Sequence, residues 1–357
     1  MKIVDIQISH DTIDLTRPYA VAFSTMSDVK IVTVKITTET GIIGYGTGSP
    51  VEIITGETLD MALTALQEST LKALTNQEFA TPQEALAAVA DQIAVAPSAS
   101  SALDSALFDA FAKEAGKPLA DYLGRHHTAL PTSITIGIKD TIDEMLTEAQ
   151  EYIDRGFRVI KLKLGKDLGM DIEFTRALKA AVPENTVLYV DPNQGYTVDD
   201  YREFLKATAD LNIAFIEQPV KAEDTESLFT LSPEEKKFVC VDESLKSIKD
   251  AQAWEERGEF PAQVFNIKFM KCGGIAQATE IAKVAQRHNI DLMLGCMDES
   301  CASIAAALHF AYAQPNTKYI DLDGSFDLER DVFAGGFELK DGYMHILDKP
   351  GLGVEPV

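Results

Sequence analysis

FRVIKLKLG, residues 157–165, carries two lysines, Lys161 and Lys163, inside an apolar run. Side chains alternate along a strand, so both lysines point to one side while Ile160, Leu162 and Leu164 point to the other. The flanks are too apolar for an edge strand, so the apolar side faces covering helices and the lysines face an interior. Four similar runs follow. VLYVD ends at Asp191, IAFIE at Glu217, FVCVD at Asp242 and VFNIK at Lys268. Counted from Lys163, these ends are spaced 28, 26, 25 and 26 residues apart. One strand, one helix and two loops fill such an interval. Five successive β/α units therefore deliver Lys, Asp, Glu, Asp and Lys to the same end of one parallel structure.

The alternation extends outward in both directions. SITIGI (133–138) reads as a strand. Residues 141–156 read as a helix with apolar Ile142, Met145, Leu146, Ala149 and Ile153, closed by Gly156. The pattern runs on through LMLGC (292–296) and TKYIDLD (317–323). An unbroken βα series implies a parallel sheet with right-handed crossovers. Seven or eight units in about 200 residues favour a closed barrel, whose reactive end is the C-terminal end of its strands.

The first part of the chain has a different character. Residues 2–9 and 29–36 alternate as strands, Glu39-Thr40-Gly41 is a turn before IIGYG, and helices are expected near 57–75, 82–94 and 99–115. The final 30 or so residues contain GGF, DGY and PGLG turns between short strands and are expected to return to this first part. The expected fold class is α/β: a modified (β/α) barrel over residues 126–324 plus an α+β capping domain over residues 1–125, with the C-terminal return at 325–357.

Composition narrows the function. The 357 residues carry a net charge of −24, and no basic face offers itself to phosphates, so a nucleic-acid partner is not expected. No apolar run approaches the length of a membrane span, and MKIVDIQISHDTIDL lacks a signal-peptide core. The four cysteines, Cys240, Cys272, Cys296 and Cys301, form no CxxC pair. A reduced, cytoplasmic enzyme is the expectation.

Asp191, Glu217 and Asp242 offer oxygen ligands only, which suit Mg2+ or Mn2+ better than zinc. A single strand-end acid is often a helix cap; three at one period beside lysines are a candidate metal set. Asn193 and Gln218 follow closely as possible supporting donors. Two ammonium groups held together repel, which is expected to lower the pKa values of Lys161 and Lys163 and to make one a base near neutral pH. Lys268 approaches from across the mouth. Two lysines on opposite sides of one carbon can take a proton from one face and return it to the other, the requirement for epimerisation.

The segments KLKLGKD, VDPNQGY, IEQPV, VDESL and NIKFMKCGG together resemble the enolase superfamily, in its muconate-lactonising-enzyme-like subgroup, and the likeness covers essentially the whole chain. The resemblance implies abstraction of the proton alpha to a carboxylate, with Mg2+ on Asp191, Glu217 and Asp242. Lys163 and Lys268 would be the acid/base pair, and Lys161 would neutralise the developing oxyanion. Charge grows on the carboxylate oxygens as the proton leaves, so fixed positive groups there favour the transition state. Within the subgroup the chain is most similar to dipeptide epimerases. Asp321 and Asp323 match the paired aspartates that take the dipeptide's α-ammonium. Thr135 matches a position contacting the substrate carboxylate, and Cys296, in GCMDES (295–300), one offering backbone contacts. RPYAVAFST (17–25) resembles the loop that closes over the substrate. Members acting on Ala-Glu carry an arginine there; here the aligned position is Ser24, beside Phe23.

The resemblance thus implies a dipeptide substrate, with alanyl dipeptides bearing small or hydrophobic second residues as the expectation. Asp298 is the alternative specificity residue, suited to a cationic side chain. L-Ala-D/L-Glu epimerisation, or a lyase or cycloisomerase reaction such as that of o-succinylbenzoate synthase, are the alternative activities. A homo-oligomer is expected.

Overall fold

The computed structural model describes residues 1–21 and 24–357, and the side chains of all of these except 17–21, 24 and 25. The chain opens with an antiparallel sheet of β1 (Ile3–Val21), β2 (Ser24–Thr38) and β3 (Ile43–Gly48), in that order. The hairpin is much longer than the alternation at 2–9 and 29–36 suggests. Pairing runs from Ile3–Thr38 to Asp14–Asp28 and resumes from Tyr19–Met26 to Val21–Ser24. The third strand reaches only Val32–Thr37 of β2. Further out, Ile13, Leu15, Val29 and Ile31 form a small cluster with Leu328, so this part of the hairpin finds its apolar partner near the other end of the sequence. No local pattern could announce that contact.

The helix Pro97–Glu114, called here the cap helix, lies against β3. Pro97 suits a first helical turn because its missing N–H is not needed there. The carboxylate of Glu57 accepts from the amides of Ser98 and Ala99 at 2.7 and 3.2 Å, capping a helix whose own N-cap, Ala96, cannot. Ser98, Ala102 and Ala106 recur every four residues and form a row of small side chains. The alternate β3 residues Gly44, Gly46 and Gly48 meet this row. A Cβ on Gly46 would stand 2.1 Å from the Ala102 carbonyl oxygen. Helix and strand approach backbone to backbone.

After the short β4 (Leu130–Pro131) come eight parallel strands: β5 (Ser133–Ile136), β6 (Val159–Lys163), β7 (Val187–Asp191), β8 (Ile216–Glu217), β9 (Val239–Val241), β10 (Val264–Ile267), β11 (Asp291–Gly295) and β12 (Thr317–Asp321). Each pairs with the next. A bridge between Thr132 and Ile320 and a 3.0 Å hydrogen bond from the Leu322 amide to Thr132 Oγ1 bring the last strand beside the first. The result is a nearly closed eight-stranded barrel. The covering helices follow the apolar period: Ile142–Asp154 buries Met145, Ala149 and Tyr152 and is capped by Thr141 on the Glu144 amide.

Strand alternation sorts the barrel interior into storeys. Val159, Tyr189, Phe215, Cys240, Val264 and Met293 form one buried cluster, with Tyr189 stacked on Phe215 at 4.3 Å between ring centroids. Two residues further along their strands stand Lys161, Asp191, Glu217, Asp242, Asn266 and Gly295. An apolar floor therefore carries a charged layer directly above it.

The C-terminal segment forms β13 (Phe333–Gly335), β14 (Phe337–Lys340), β15 (Tyr343–Ile346) and β16 (Val354–Pro356). β13 pairs with β16, and β15 joins β14 to β4. Asp109 of the cap helix ties this segment in. Its carboxylate accepts from the Leu352 amide at 2.7 Å, the Tyr45 amide at 2.8 Å and Lys113 Nζ at 2.7 Å. Among the described residues no helix is long and apolar enough to cross a membrane.

Candidate active site

The charged layer gathers most of the residues singled out from the sequence. Lys161, at the centre, lies within 3.1 Å of Asp191 Oδ2, 2.9 Å of Glu217 Oε2 and 2.9 Å of Asp321 Oδ2. Lys163 Nζ donates to Asp191 Oδ2 at 2.7 Å. Across the barrel, Lys268 Nζ donates to Asp242 Oδ2 at 2.8 Å. Lys163 ends β6 and Lys268 follows β10, four places apart in a ring of eight, so the two approach from opposite walls. The Lys163 side chain is 19% exposed and that of Lys161 only 3%. Lys163 faces the mouth; Lys161 sits beneath it.

Neighbouring groups hold the acids in place. Asn266 Nδ2 donates to Glu217 Oε1 at 2.8 Å, and the Asn193 amide to Asp191 Oδ1 at 2.8 Å. Gln218 acts on Asp242 through the backbone: its Oε1 accepts from the amides of Asp242 and Ser244 at 2.9 and 3.0 Å. Ser133 Oγ, itself 2.8 Å from the Tyr189 hydroxyl, donates to Asp321 Oδ1. The Thr135 amide donates to Asp323 Oδ2 at 2.9 Å, so Thr135 and the aspartate pair form one corner of the mouth. Cys296 follows β11 and is half-buried, and Asp298 beyond it is also half-buried. The side chain of Ser24 and all of Ala22 and Phe23 lie outside the described residues, so the specificity reading of residues 17–25 gains no contacts.

Two residues beside the acids, Lys271 and Glu243, are not signalled by strand-end spacing. Lys271 is buried, and its Nζ donates to the Asp242 carbonyl at 2.6 Å, to Asp242 Oδ1 and to the Asn266 carbonyl at 3.2 Å. Its signal was present in NIKFMKCGG, where a second lysine stands one helical turn after Lys268. Glu243 is half-buried and accepts from Gln194 Nε2 at 3.2 Å.

The electrostatics correct one expectation. The ammonium of Lys161 is not pushed down by its lysine neighbour. Burial disfavours its charge, but Asp321, Glu217 and Asp191 outweigh that and hold its pKa well above the ordinary lysine value. Burial also opposes the Lys268 ammonium, and Asp242 outweighs it, so Lys268 too is raised. Lys161 is shared among three acids, while Asp191 and Asp242 each take a second lysine and Glu217 does not. Burial works against ionised Asp191, Asp242 and Asp321 as well, yet their lysine partners keep all three below the usual carboxylate range. Glu217 is the exception. Burial first, then repulsion from Asp191, pushes it up to about 8 despite Lys161. One ammonium cannot neutralise three carboxylates.

That deficit bears on a metal. Among the described residues no three acid, histidine or cysteine side chains stand close enough to enclose an ion as they are turned here, and Lys161 Nζ stands between Asp191 and Glu217. The chemistry of the set nonetheless suits a hard divalent cation. The ligands are all oxygen, they end three adjacent strands, and Glu217 Oε2 lies buried without an aligned hydrogen bond. The missing charge is positive.

Two family profiles match the chain. "Mandelate racemase / muconate lactonizing enzyme, N-terminal domain" covers residues 3–124 and "Enolase C-terminal domain-like" covers 144–357. A protein named L-Lys-D/L-Arg epimerase from Desulforapulum autotrophicum is 45% identical over 357 residues, all of both chains. A dipeptide epimerase from Methylococcus capsulatus, solved with Mg and L-Arg-D-Lys, superposes with a TM-score of 0.96 at 45% identity over 99% of each chain. One from Enterococcus faecalis, solved with Mg and L-Leu-L-Tyr, gives 0.92 at 34% identity, over 99% of this chain and 100% of its own.

Proposed function

The chain belongs to the dipeptide epimerase family of the enolase superfamily, and from that premise we propose that it inverts the α-carbon of the C-terminal residue of a dipeptide, with cationic dipeptides preferred. The observation that carries this reading is the placement of Lys163 and Lys268 on opposite walls, either side of Lys161 and its carboxylates. One lysine takes the α-proton and the other returns a proton to the opposite face; their order depends on the starting epimer. Lys161 sits where negative charge would gather on the substrate carboxylate and holds it electrostatically. Asp321 and Asp323 take the α-ammonium, Thr135 and Cys296 line the same corner, and Asp298 is offered to the variable side chain, with Ser24 a candidate from sequence alone. Asp191, Glu217 and Asp242 would hold Mg2+, which would supply positive charge to a layer short of it.

The preference for cationic side chains is drawn from the acids of the mouth and from the relatives' substrates. Asp298, Glu299, Asp321 and Asp323 lie on two adjacent strand ends. Burial raises Glu299 to about 7, and burial with Asp321 raises Asp323 to about 7, so added positive charge is favoured there. Two L-Lys-D/L-Arg epimerases at 45% identity agree with this. A preference for small or apolar second residues would instead rest on residues 17–25.

The test is incubation in D2O with Mg2+ of a dipeptide set containing L-Lys-L-Arg, L-Arg-L-Lys, L-Ala-L-Ala and L-Leu-L-Tyr. Deuterium is expected at the second α-carbon, fastest in the dibasic members. Absence of exchange across the set would sink the reading. Asp321→Asn and Asp323→Asn separate it from succinylbenzoate-type chemistry, whose substrates have no ammonium: an epimerase loses activity in both.

A further inference from the structure

The two proton-carrying lysines are anchored in different parts of the molecule. The turn after Lys163 is fastened within the barrel, by the Leu164 amide on the Asp191 carbonyl at 2.9 Å and the Gly165 amide on Asp171 Oδ2 at 2.9 Å. The turn after Lys268 is fastened to the barrel through Lys271, whose Nζ donates to the Asp242 and Asn266 carbonyls, and beyond it to the cap. Lys268 is the N-cap of a buried one-turn helix, Phe269–Cys272, which leads through Gly273 and Gly274 into the helix Ile275–Arg287. That second helix has a glycine at its N-cap and no cap of its own. Asp104 of the cap helix supplies it: the carboxylate accepts from the Ile275 and Ala276 amides at 2.7 and 3.0 Å. Asp104 is buried, and Gly274, at φ +112°, makes room for it, since a Cβ there would lie 2.6 Å from Asp104 Cγ. One helical turn before Asp104, Ser100 Oγ donates to the Gly273 carbonyl at 2.9 Å. Before that helix, at the end of β3, the Ser49 amide lies 3.1 Å from Met270 Sδ.

Building on the epimerase reading, we propose that Asp104 is a positioning residue for Lys268: the cap helix, through Asp104 and Ser100, sets the place of one of the two acid/base lysines and leaves the other untouched. The consequence is asymmetric. Loosening this anchor impairs proton transfer on the face served by Lys268 and spares the face served by Lys163. A displacement of an ångström at a reacting group costs roughly 10- to 100-fold in rate.

The test uses the full-length, Mg2+-loaded enzyme and both epimers of its preferred dipeptide in D2O. Lys268→Ala first identifies which epimer gives its α-proton to Lys268, because exchange from that epimer alone is lost. In Asp104→Asn, exchange from the same epimer is expected to slow about tenfold or more, with exchange from the other within twofold of wild type. Ser100→Ala, which keeps the carboxylate, shows the same bias more weakly and decides the matter if Asp104→Asn does not fold. Backbone hydrogen exchange of the metal-free proteins is the second readout. Peptides spanning 268–276 exchange faster in the variants, and those spanning 163–171 do not. Equal slowing of both epimers, or unchanged exchange in 268–276, overturns the proposal. A wild type inactive on both epimers speaks against the epimerase reading instead, and the backbone comparison still decides the anchor.

Discussion

Glu217 keeps one buried oxygen, Oε2, without an aligned hydrogen bond, and the consequence is measurable. In the fold it keeps its proton up to about 8, against an ordinary glutamate value of 4.5. Between those values the folded chain binds more protons than the unfolded one. The stability tied to this group is therefore full below 4.5 and is lost as pH rises towards 8. Asp104, Glu243, Glu299 and Asp323, each raised to about 7 chiefly by burial, act in the same direction. The depressed acids Asp191, Asp242 and Asp321 add no slope in this window, being ionised in both states. The metal-free protein is thus expected to melt at progressively lower temperature from pH 5.5 to 8. Saturating Mg2+ should raise the pH 8 melting temperature most, and Glu217→Gln should flatten the metal-free slope. A metal-free melting temperature that climbs with pH would contradict this assignment. The five strand-end residues could be read from spacing because one β/α unit has a nearly fixed length. The state of the lysines could not, because it depends on how many carboxylates converge, Asp321 included, from strands more than 150 residues apart in sequence.

At the scale of elements, β3 and the cap helix meet backbone to backbone along one seam. Alanine usually improves on glycine within a strand by about 0.5–1 kcal/mol. At Gly46 the added methyl would press on the Ala102 carbonyl, 2.1 Å away, and on the Ala106 amide, 2.5 Å away. Gly46→Ala is therefore expected to destabilise the protein by about 1–3 kcal/mol, as overpacking does, visible as a lowered denaturant midpoint at unchanged slope. A stabilised variant would mean that helix and strand can part without cost. The barrel elements were readable because each repeats one apolar period. The cap was harder. The helix expected at 57–75 is two pieces, Leu59–Ala65 and Glu68–Lys72, and that at 82–94 is Pro82–Ala87 and Ala90–Ile93. Alanine-rich sequence marks helix without marking where packing on the sheet breaks it. The hairpin extension was hidden for another reason: it packs on Leu328, and nothing near residue 15 in sequence foretells that.

The whole molecule carries a net charge of −24 around a mouth rich in acids. Such a field gathers cations, over about 30 Å at 10 mM salt and about 8 Å at 150 mM. If dibasic dipeptides are the substrates, kcat/KM for L-Lys-L-Arg should fall by about tenfold between those salt concentrations. For L-Ala-L-Ala it should change little. Equal salt dependence for both would remove electrostatic capture from the account. The link through Asp109 has a different outcome, in the order of biosynthesis. The cap helix is made early, yet one ligand of its buried carboxylate, the Leu352 amide, lies 243 residues downstream. At roughly 5–20 residues per second the ribosome needs on the order of 10–50 s to supply it. Until then the nascent cap holds a partly satisfied acid in its interior. The cap helix, made before the barrel, is thus fully satisfied only after it, and the barrel must be made before the cap can close.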